Sequence, residues 1–335
     1  MRDWKSLLNI DRTEWLLEPS DPSVRYRSLN WLLDRAENDP ELDDALEAVR
    51  AAPPARRLIS SQRPEGYWGR NPVAHLGTRG ELHLLHWLGY KDGPESTAKK
   101  ATSYLAAGCL DEGGAYRYEM AKTRRWFLLP CHGAELARFM LRFGLTRDPR
   151  LRKLVDWLMS LRKADGALPC PSKAASPSCL FATALFMRLA EELRGDPEAA
   201  KLPAKVKTSI EEATKAAAEL ILEGGFARAA RNKPTDRWFN FGFPLQWESD
   251  VLELLRLVGP YADGFDDSRL AETIELVRSK ELADGSWPCE KEPKGGKWMR
   301  RYVDLDHPGE SSKWVTLAVY RALKAVGKLA TRQAP

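Results

Sequence analysis

Gln62-Arg63-Pro64-Glu65-Gly66-Tyr67-Trp68 is one copy of a short phrase: an acidic or amide residue, then glycine, then an aromatic or apolar residue. The phrase returns as Asp111-Glu112-Gly113-Gly114-Ala115-Tyr116, Asp165-Gly166-Ala167-Leu168, Glu223-Gly224-Gly225-Phe226 and Asp284-Gly285-Ser286-Trp287. The glycines at 66, 114, 166, 225 and 285 lie 48, 52, 59 and 60 residues apart. A period of that size marks a supersecondary unit repeated in space.

Two helical patterns fill the space between phrases. Asp148-Pro149 opens one, an N-cap acid followed by proline at the first helical position. Beyond it Leu151, Leu154, Val155, Leu158 and Leu161 keep the three-four spacing of a single helical face. Residues 204–222 repeat the pattern, with Val206, Ile210, Ala213, Ala217, Leu220 and Ile221 against Lys207, Glu211, Lys215 and Glu219. These read as half-wet outer helices. The partner pattern is apolar nearly all round, as in Leu136, Phe139, Met140, Leu141 and Phe143, and such a helix must be surrounded by protein.

The spacing predicts inner helices near 22–35, 77–88, 132–143, 178–193, 245–257 and 312–326. Outer helices are expected near 40–62 (broken at Pro53-Pro54), 95–107, 149–163, 204–222 and 268–280, with 3–17 as the last outer one. Gly89, Gly144, Gly259, Gly327 and Gly195 follow inner helices where a left-handed C-cap would fall. The expectation is all-α: a single (α/α)6 toroid of antiparallel helical hairpins over 1–335, with a closing segment 1–20, repeats 21–327 and a tail 328–335.

Composition excludes several classes. Hydrophobic residues at 43% and charged residues at 30% are globular values, and no apolar run approaches the roughly eighteen residues of a membrane span. Met1-Arg2-Asp3-Trp4-Lys5 lacks the apolar core of a secretory signal, and five scattered cysteines suit reduced thiols, so a cytoplasmic location is expected. A net charge of +5 is modest for a nucleic-acid binder, and nucleic acid is not an expected partner.

Gln or Asp, a few residues and then Gly-x-Trp after an outer helix is the signature of the prenyltransferase and squalene-oxidase repeat, matched best at 62–68 and 284–287. From about residue 20 to 327 the chain resembles the toroid superfamily of squalene–hopene cyclases and protein prenyltransferase β subunits. The resemblance implies a small amphiphilic or isoprenoid ligand, such as a diphosphate, in a central cavity, with transfer or cyclisation as the reaction. The Asp-x-Asp-Asp acid motif of the cyclases has no counterpart at Ser312-Lys313-Trp314-Val315-Thr316, and Asp304-Leu305-Asp306-His307 reads as a solvated turn. The prenyltransferase zinc triad is incomplete too: Asp284 and Cys289 are near one another, but only His307, in a loop, could join them.

Three segments that lead into inner helices mix cations with aromatics. Their candidate ligand-binding residues are Arg124, Arg125 and Trp126, then Arg237, Trp238 and Trp247, then Lys313 and Trp314. An apolar cavity rimmed by cations suits an amphiphile with an anionic head, and aromatic faces tolerate a cation. His132, Glu248 and Asp250 stand at inner-helix starts as candidate proton-transfer groups, since a carboxyl facing an apolar lumen keeps its proton to higher pH. Glu135, one turn inside a helix, could do the same or pair with an arginine, and His83 and His86 read as core or lumen residues. Cys131, Cys170 and Cys179 near two successive helix starts are candidate metal ligands, and thiolates with a histidine suit zinc, although inert buried thiols are the alternative. Two other readings stay open: a glycan-active hydrolase or lyase, which needs paired carboxylates, and a non-catalytic scaffold for protein or nucleic acid.

Overall fold

The structure is a computed structural model that describes residues 3–69, 77–93, 96–120, 125–169, 178–195, 202–231, 238–245 and 249–327. The chain is all-α. After a 3-10 turn at Trp4–Leu7 come α1 (Thr13–Leu16), α2 (Pro22–Trp31), α3 (Pro40–Ala51), α4 (Pro53–Ser60), α5 (Thr78–Leu88) and α6 (Thr97–Cys109). A short antiparallel ribbon follows, β1 (Arg117–Met120) with β2 (Arg125–Leu128), pairing Tyr118 with Phe127. Then come α7 (Pro130–Arg142), α8 (Pro149–Ser160), α9 (Leu180–Gly195), α10 (Ala204–Arg231), α11 (Val251–Val258) and α12 (Ala271–Ser279). The last elements are β3 (Trp287–Pro288), α13 (Gly296–Met299), β4 (Ser311–Ser312) and α14 (Lys313–Gly327), β3 pairing with β4.

Capping acids set several helix starts. Asp21, Asp39 and Asp148 each accept a first-turn amide and are each followed by proline, which opens α2, α3 and α8. The outer helices bury the face their spacing predicts: Leu151, Leu154, Val155 and Leu158 in α8, and Val206, Ile210, Ala213 and Ala217 in α10. α7 is buried on all sides from His132 to Leu141, and the buried set includes Glu135 and Arg138.

Four of the glycine phrases fold into one and the same turn. The amides of Arg63, Asp111, Lys163 and Leu282 donate to the carbonyls of Tyr67, Ala115, Ala167 and Ser286, four residues on. Gly66, Gly114, Gly166 and Gly285 hold φ between +82° and +95°, which costs a side chain dearly. Each glycine also presses against the next outer element, at Lys100 of α6, Lys153 of α8, Ala216 of α10 and Ile10 respectively. Two residues past the glycine, the amides of Trp68, Leu168 and Trp287 donate to the hydroxyls of Thr78, Thr183 and Thr316 on the following inner helices, at 2.9, 3.1 and 3.0 Å.

The structure departs from expectation in five places. Glu223-Gly224-Gly225-Phe226 makes no turn and is helical within α10, where the run Ala227-Arg228-Ala229-Ala230-Arg231 carries strong helix formers. Gly89 and Gly144 are left-handed caps, but Gly195 and Gly327 are the last residues of α9 and α14 without a positive φ, and Gly259 is right-handed at φ −49° and continues α11 into a 3-10 turn. Segment 3–17 is not one helix, because Glu281 accepts the amides of Asn9 and Ile10 and draws residues 8–11 out of helical form. α11 starts at Val251 rather than 245, since Asp250 caps it. In the Asp304–His307 stretch Asp304 and His307 are exposed, as expected, but Leu305 is buried and Asp306 is half-buried and accepts the Ser312 hydroxyl at 2.5 Å.

Two compact units divide the chain. Met1–Ser60, His83–Lys91 and Ile221–Pro335 form the first, and Ser61–Leu82 with Asp92–Leu220 the second. In the first, α14 packs on α11 and α2 and touches α1 and the Trp4–Leu7 turn, so residues 4–16 meet the last described helix. In the second, α7 is packed by α6, α8 and α9. Among the described residues no helix is long and apolar enough to cross a membrane.

Candidate functional site

The first unit carries a half-open cleft enclosing about 460 Å³, part of it open to solvent. Its upper wall is aromatic. Trp31 closes α2, Trp87 comes from the end of α5, Phe243 from the segment before α11, and Trp314 from the first turn of α14. Phe243 and Trp314 stack in parallel at 4.0 Å, and Trp87 meets Phe243 edge-on at 5.3 Å. Trp31 meets Trp87 edge-on at 6.2 Å.

Fixed hydrogen bonds hold these rings. The Trp87 indole N–H donates to the Leu245 carbonyl at 2.8 Å, which seats Trp87 against the 243–245 segment. The buried Arg27 guanidinium donates to the carbonyls of His86 and Trp87 and so ties α5 to α2. It also lies 4.3 Å from the Trp31 ring, while Arg321 of α14 lies 3.7 Å from the same ring. Gly89 must be glycine here: at φ +86° an added Cβ would stand 2.4 Å from the Tyr26 ring.

Two buried carboxylates form the floor. Asp250 caps α11 by accepting the Glu253 amide at 3.0 Å. Glu253 in turn accepts the Ser249 hydroxyl at 2.6 Å and the Arg256 guanidinium at 3.2 Å. The charge partner of Asp250 is Lys291, whose Nζ stands 4.0 Å away and is itself buried. Gly242 leaves room for that lysine, since a Cβ there would meet Lys291 Cγ at 2.6 Å. Burial pushes the Asp250 carboxyl up to about 6; Lys291 and the backbone donors of Glu253 and Gly242 oppose the rise, and the Glu253 charge adds to it. At mildly acidic to neutral pH a fraction of Asp250 is therefore a neutral acid in an apolar, aromatic cleft.

The second unit holds a different polar cluster. Arg79 and Glu135 form a buried ion pair at 3.2 Å. His132 sits edge-on to Tyr116 at 5.5 Å and to Tyr118 at 6.1 Å. Burial pushes the Tyr116 hydroxyl well above its ordinary range and raises the Cys109 thiol beside it. In the first unit, His83 and His86 are buried.

The sequence candidates thus separate. Asp250 and Trp314 are brought together in the cleft. Lys313, one residue before Trp314, points elsewhere: it pairs with Glu18 at 2.7 Å and lies 5.3 Å from the Trp15 ring. Trp238 is buried and does not line the cleft, and His132 belongs to the second unit. Arg125 and Trp126 fall in β2, opposite Met120 and Glu119, where only the backbone is described. Arg124, Arg237, Trp247, Glu248 and Cys170 lie outside the described residues. Cys131 and Cys179 are half-buried, and among the described residues no three His, Cys, Asp or Glu side chains gather where a metal ion could sit. Sequence reading missed Trp31, Trp87, Phe243, Arg256 and Arg321. Arg321 had a signal, because Trp314, Leu317, Ala318 and Arg321 follow one helical face.

Fold and cleft together define an all-α protein of helical hairpins with an aromatic site over a buried acid. No protein-family model matches the chain, and no curated protein does. Among solved structures, a protein from Actinoplanes is 19% identical over 91% of this chain and 90% of that one, with a TM-score of 0.46. A variant of the type II terpene cyclase MstE from Scytonema, in complex with geranylgeranyl dihydroxybenzoate, is 17% identical over 87% of this chain and 84% of that one, TM-score 0.41. Another MstE variant, in complex with merosterolic acid A, is 17% identical over 90% and 86%, TM-score 0.42. Overlaps this loose carry no activity to this chain.

Proposed function

We propose that the protein binds an isoprenoid or similar amphiphile in the aromatic cleft and that Asp250 transfers a proton to it, starting a cyclisation or a related rearrangement. The observation that carries this reading is a buried, proton-retaining carboxyl on the floor of a cleft walled by Trp31, Trp87, Phe243 and Trp314. Aromatic walls of this size favour apolar ligands, and their negative faces stabilise positive charge. In the proposed step a carbon–carbon π bond takes the Asp250 proton, leaving a cation on the more substituted carbon. The carboxylate left behind faces the Lys291 ammonium. Return of a proton from the rearranged cation to a base restores neutrality. The glycan reading asks for two available carboxylates. Here the second, Glu253, is engaged by Arg256 and Ser249.

Three tryptophans line the cleft, so intrinsic fluorescence reports occupancy directly. Geranylgeraniol and farnesyl diphosphate should quench it saturably, and Trp314→Ala should weaken binding about tenfold, since stacked aromatic contact contributes on the order of 1–2 kcal/mol. Asp250→Asn should bind as before and turn over neither compound. Absence of saturable quenching by either compound would end this reading.

A further inference from the structure

Residues 239–243, which carry Phe243 to the cleft wall, lie in no helix or strand, so their backbone groups need partners elsewhere. They find them on the stretch after β3. The Phe241 carbonyl accepts the amides of Glu290 and Lys291 at 2.7 and 3.2 Å, and the Phe241 amide donates to Glu290 Oε2 at 2.7 Å. Lys280, just past α12, donates to both Glu290 oxygens at 2.9 and 2.7 Å and to the Phe239 carbonyl at 2.5 Å. Its ammonium lies 4.4 Å from the centre of the Phe241 ring. Phe241 is fully buried and Glu290 half-buried, so these charge-assisted bonds are only weakly screened.

One residue further along each stretch stand the two groups that oppose the rise of Asp250. Gly242 follows Phe241, and Lys291 follows Glu290. A Cβ added to Gly242 would stand 2.6 Å from Lys291 Cγ and 2.8 Å from its carbonyl oxygen, so the two stretches are in close contact at this point. Lys291 Nζ stands 4.0 Å from Asp250, and Gly242 supplies it a backbone donor. Lys280 and Glu290 themselves do not line the cleft.

We infer that Glu290 is a positioning residue: held by Lys280 and by the Phe241 amide, it fixes the register of the two stretches and so keeps Gly242 and Lys291 against Asp250. That this serves proton transfer rests on the function proposed above; the positioning itself does not. In this role reach matters more than charge, because the Glu290 charge is already matched by Lys280. A carboxylate one methylene shorter falls back by about 1.5 Å and cannot serve both the Phe241 amide and the Lys280 ammonium. Around Asp250 the charged groups are Lys291 from the stretch after β3, Glu253 and Arg256 on α11, and Arg321 on α14. Of these only Lys291 belongs to the clamped stretches, so its distance to Asp250 is the one that changes when the clamp loosens.

The test reads the pH midpoint of Asp250 on the whole chain. Urea unfolding from about pH 4 to about pH 9 compares each background with the same background carrying Asp250→Asn, and the difference reports that one titration. Glu290→Asp keeps the charge and loses the reach, and should carry the midpoint from about 6 to about 7 or higher as Lys291 and Gly242 draw back. Glu290→Gln keeps the reach and an acceptor for the Phe241 amide, and should leave the midpoint within about half a unit of wild type. The inference is refuted if Glu290→Asp moves the midpoint no further than Glu290→Gln, whatever either does to overall stability. It is refuted too if the midpoint falls in Glu290→Asp, which would mean that water enters rather than that Lys291 leaves. Should Glu290→Asp fail to fold, Gly242→Ala pushes the same two stretches apart with every charge in place; a raised midpoint there supports the inference and an unmoved one overturns it. None of these measurements needs a ligand. Failure of farnesyl diphosphate and geranylgeraniol to bind would end the proposed function and leave the positioning standing, whereas an unmoved midpoint would end the positioning alone.

Discussion

Asp250 has two duties that pull its charge in opposite directions. As the cap of α11 it is a better acceptor when ionised, and as a buried side chain it is cheaper when neutral. Burial wins, because its folded value of about 6 stands above the unfolded value of about 3.9. Protonated Asp250 therefore favours the folded state, in full below about pH 4, and that contribution is lost as pH rises through about 6. The gap is worth about 3 kcal/mol. Asn caps a helix about as well as Asp and does not titrate, so wild-type stability relative to Asp250→Asn should fall by about 3 kcal/mol between pH 4 and pH 7.5 in urea unfolding. Parallel pH curves would show that Asp250 does not titrate in this range. Lys291→Met removes the opposing positive charge and should move the fall to higher pH. Asp250 and Trp314 were legible in the sequence because each stands at a helix start. Lys313 misled because its neighbour on a helix faces about 100° away, into the cleft, while it faces Glu18. Trp31, Trp87 and Phe243 come from three separate repeats, and no local pattern reports that they meet.

The glycine turn is the element on which the repeat depends, and its cost has two separable parts. Gly114 has φ +89°, and an added Cβ would stand 2.4 Å from the Lys153 backbone of α8. Gly309 has φ +94° with nothing within 4 Å of that position. Alanine at 309 should therefore cost only the backbone strain, about 1 kcal/mol, and alanine at 114 about 3 kcal/mol or more, because α8 must move. Equal losses in urea unfolding would mean that close packing of turn on helix is not what the glycine serves. The same comparison explains what the sequence could not show. A Gly-Gly pair reads as a turn wherever it stands, yet Gly224-Gly225 lies inside α10, where two glycines cost about 2 kcal/mol against many helix-forming neighbours. Gly259 fails as a left-handed cap for a related reason: the chain continues into a 3-10 turn over Gly259–Tyr261, and the glycine is required by the close approach of Val326, whose backbone N would lie 2.8 Å from a Cβ.

At the scale of the molecule, the beginning of the chain takes the place of an outer helix it does not form. Gly66, Gly114 and Gly166 each rest on the outer helix that follows, but Gly285 rests on Ile10, at 2.5 Å from a Cβ built there. Glu281 accepts the Asn9 amide at 3.1 Å, the Asn9 side chain at 2.9 Å and the Ile10 amide at 3.3 Å. Tyr320, fully buried on α14, accepts the Arg12 amide at 2.7 Å, and its ring lies tilted to that of Trp4 at 5.2 Å. The periodicity predicted an element at 3–17 and was right about its place, while its form follows from Glu281, which offers amides 9 and 10 a partner outside any helix. α14 also bears Trp314 and Arg321, so this segment supports the cleft through one helix. Removing residues 1–12 should expose Tyr320 and leave the Gly285 turn without its backing, and amide exchange should quicken in residues 282–287 and in α14, with α9 as internal reference. Glu281→Ala should reproduce the effect in part, at about 1–2 kcal/mol for lost bonds to a charged acceptor. Ligand affinity should fall in the same order, since α14 carries Trp314 of the cleft wall. Wild-type exchange in α14 after the truncation would show that the segment only covers the surface and that α14 is held by α11 and α2 alone.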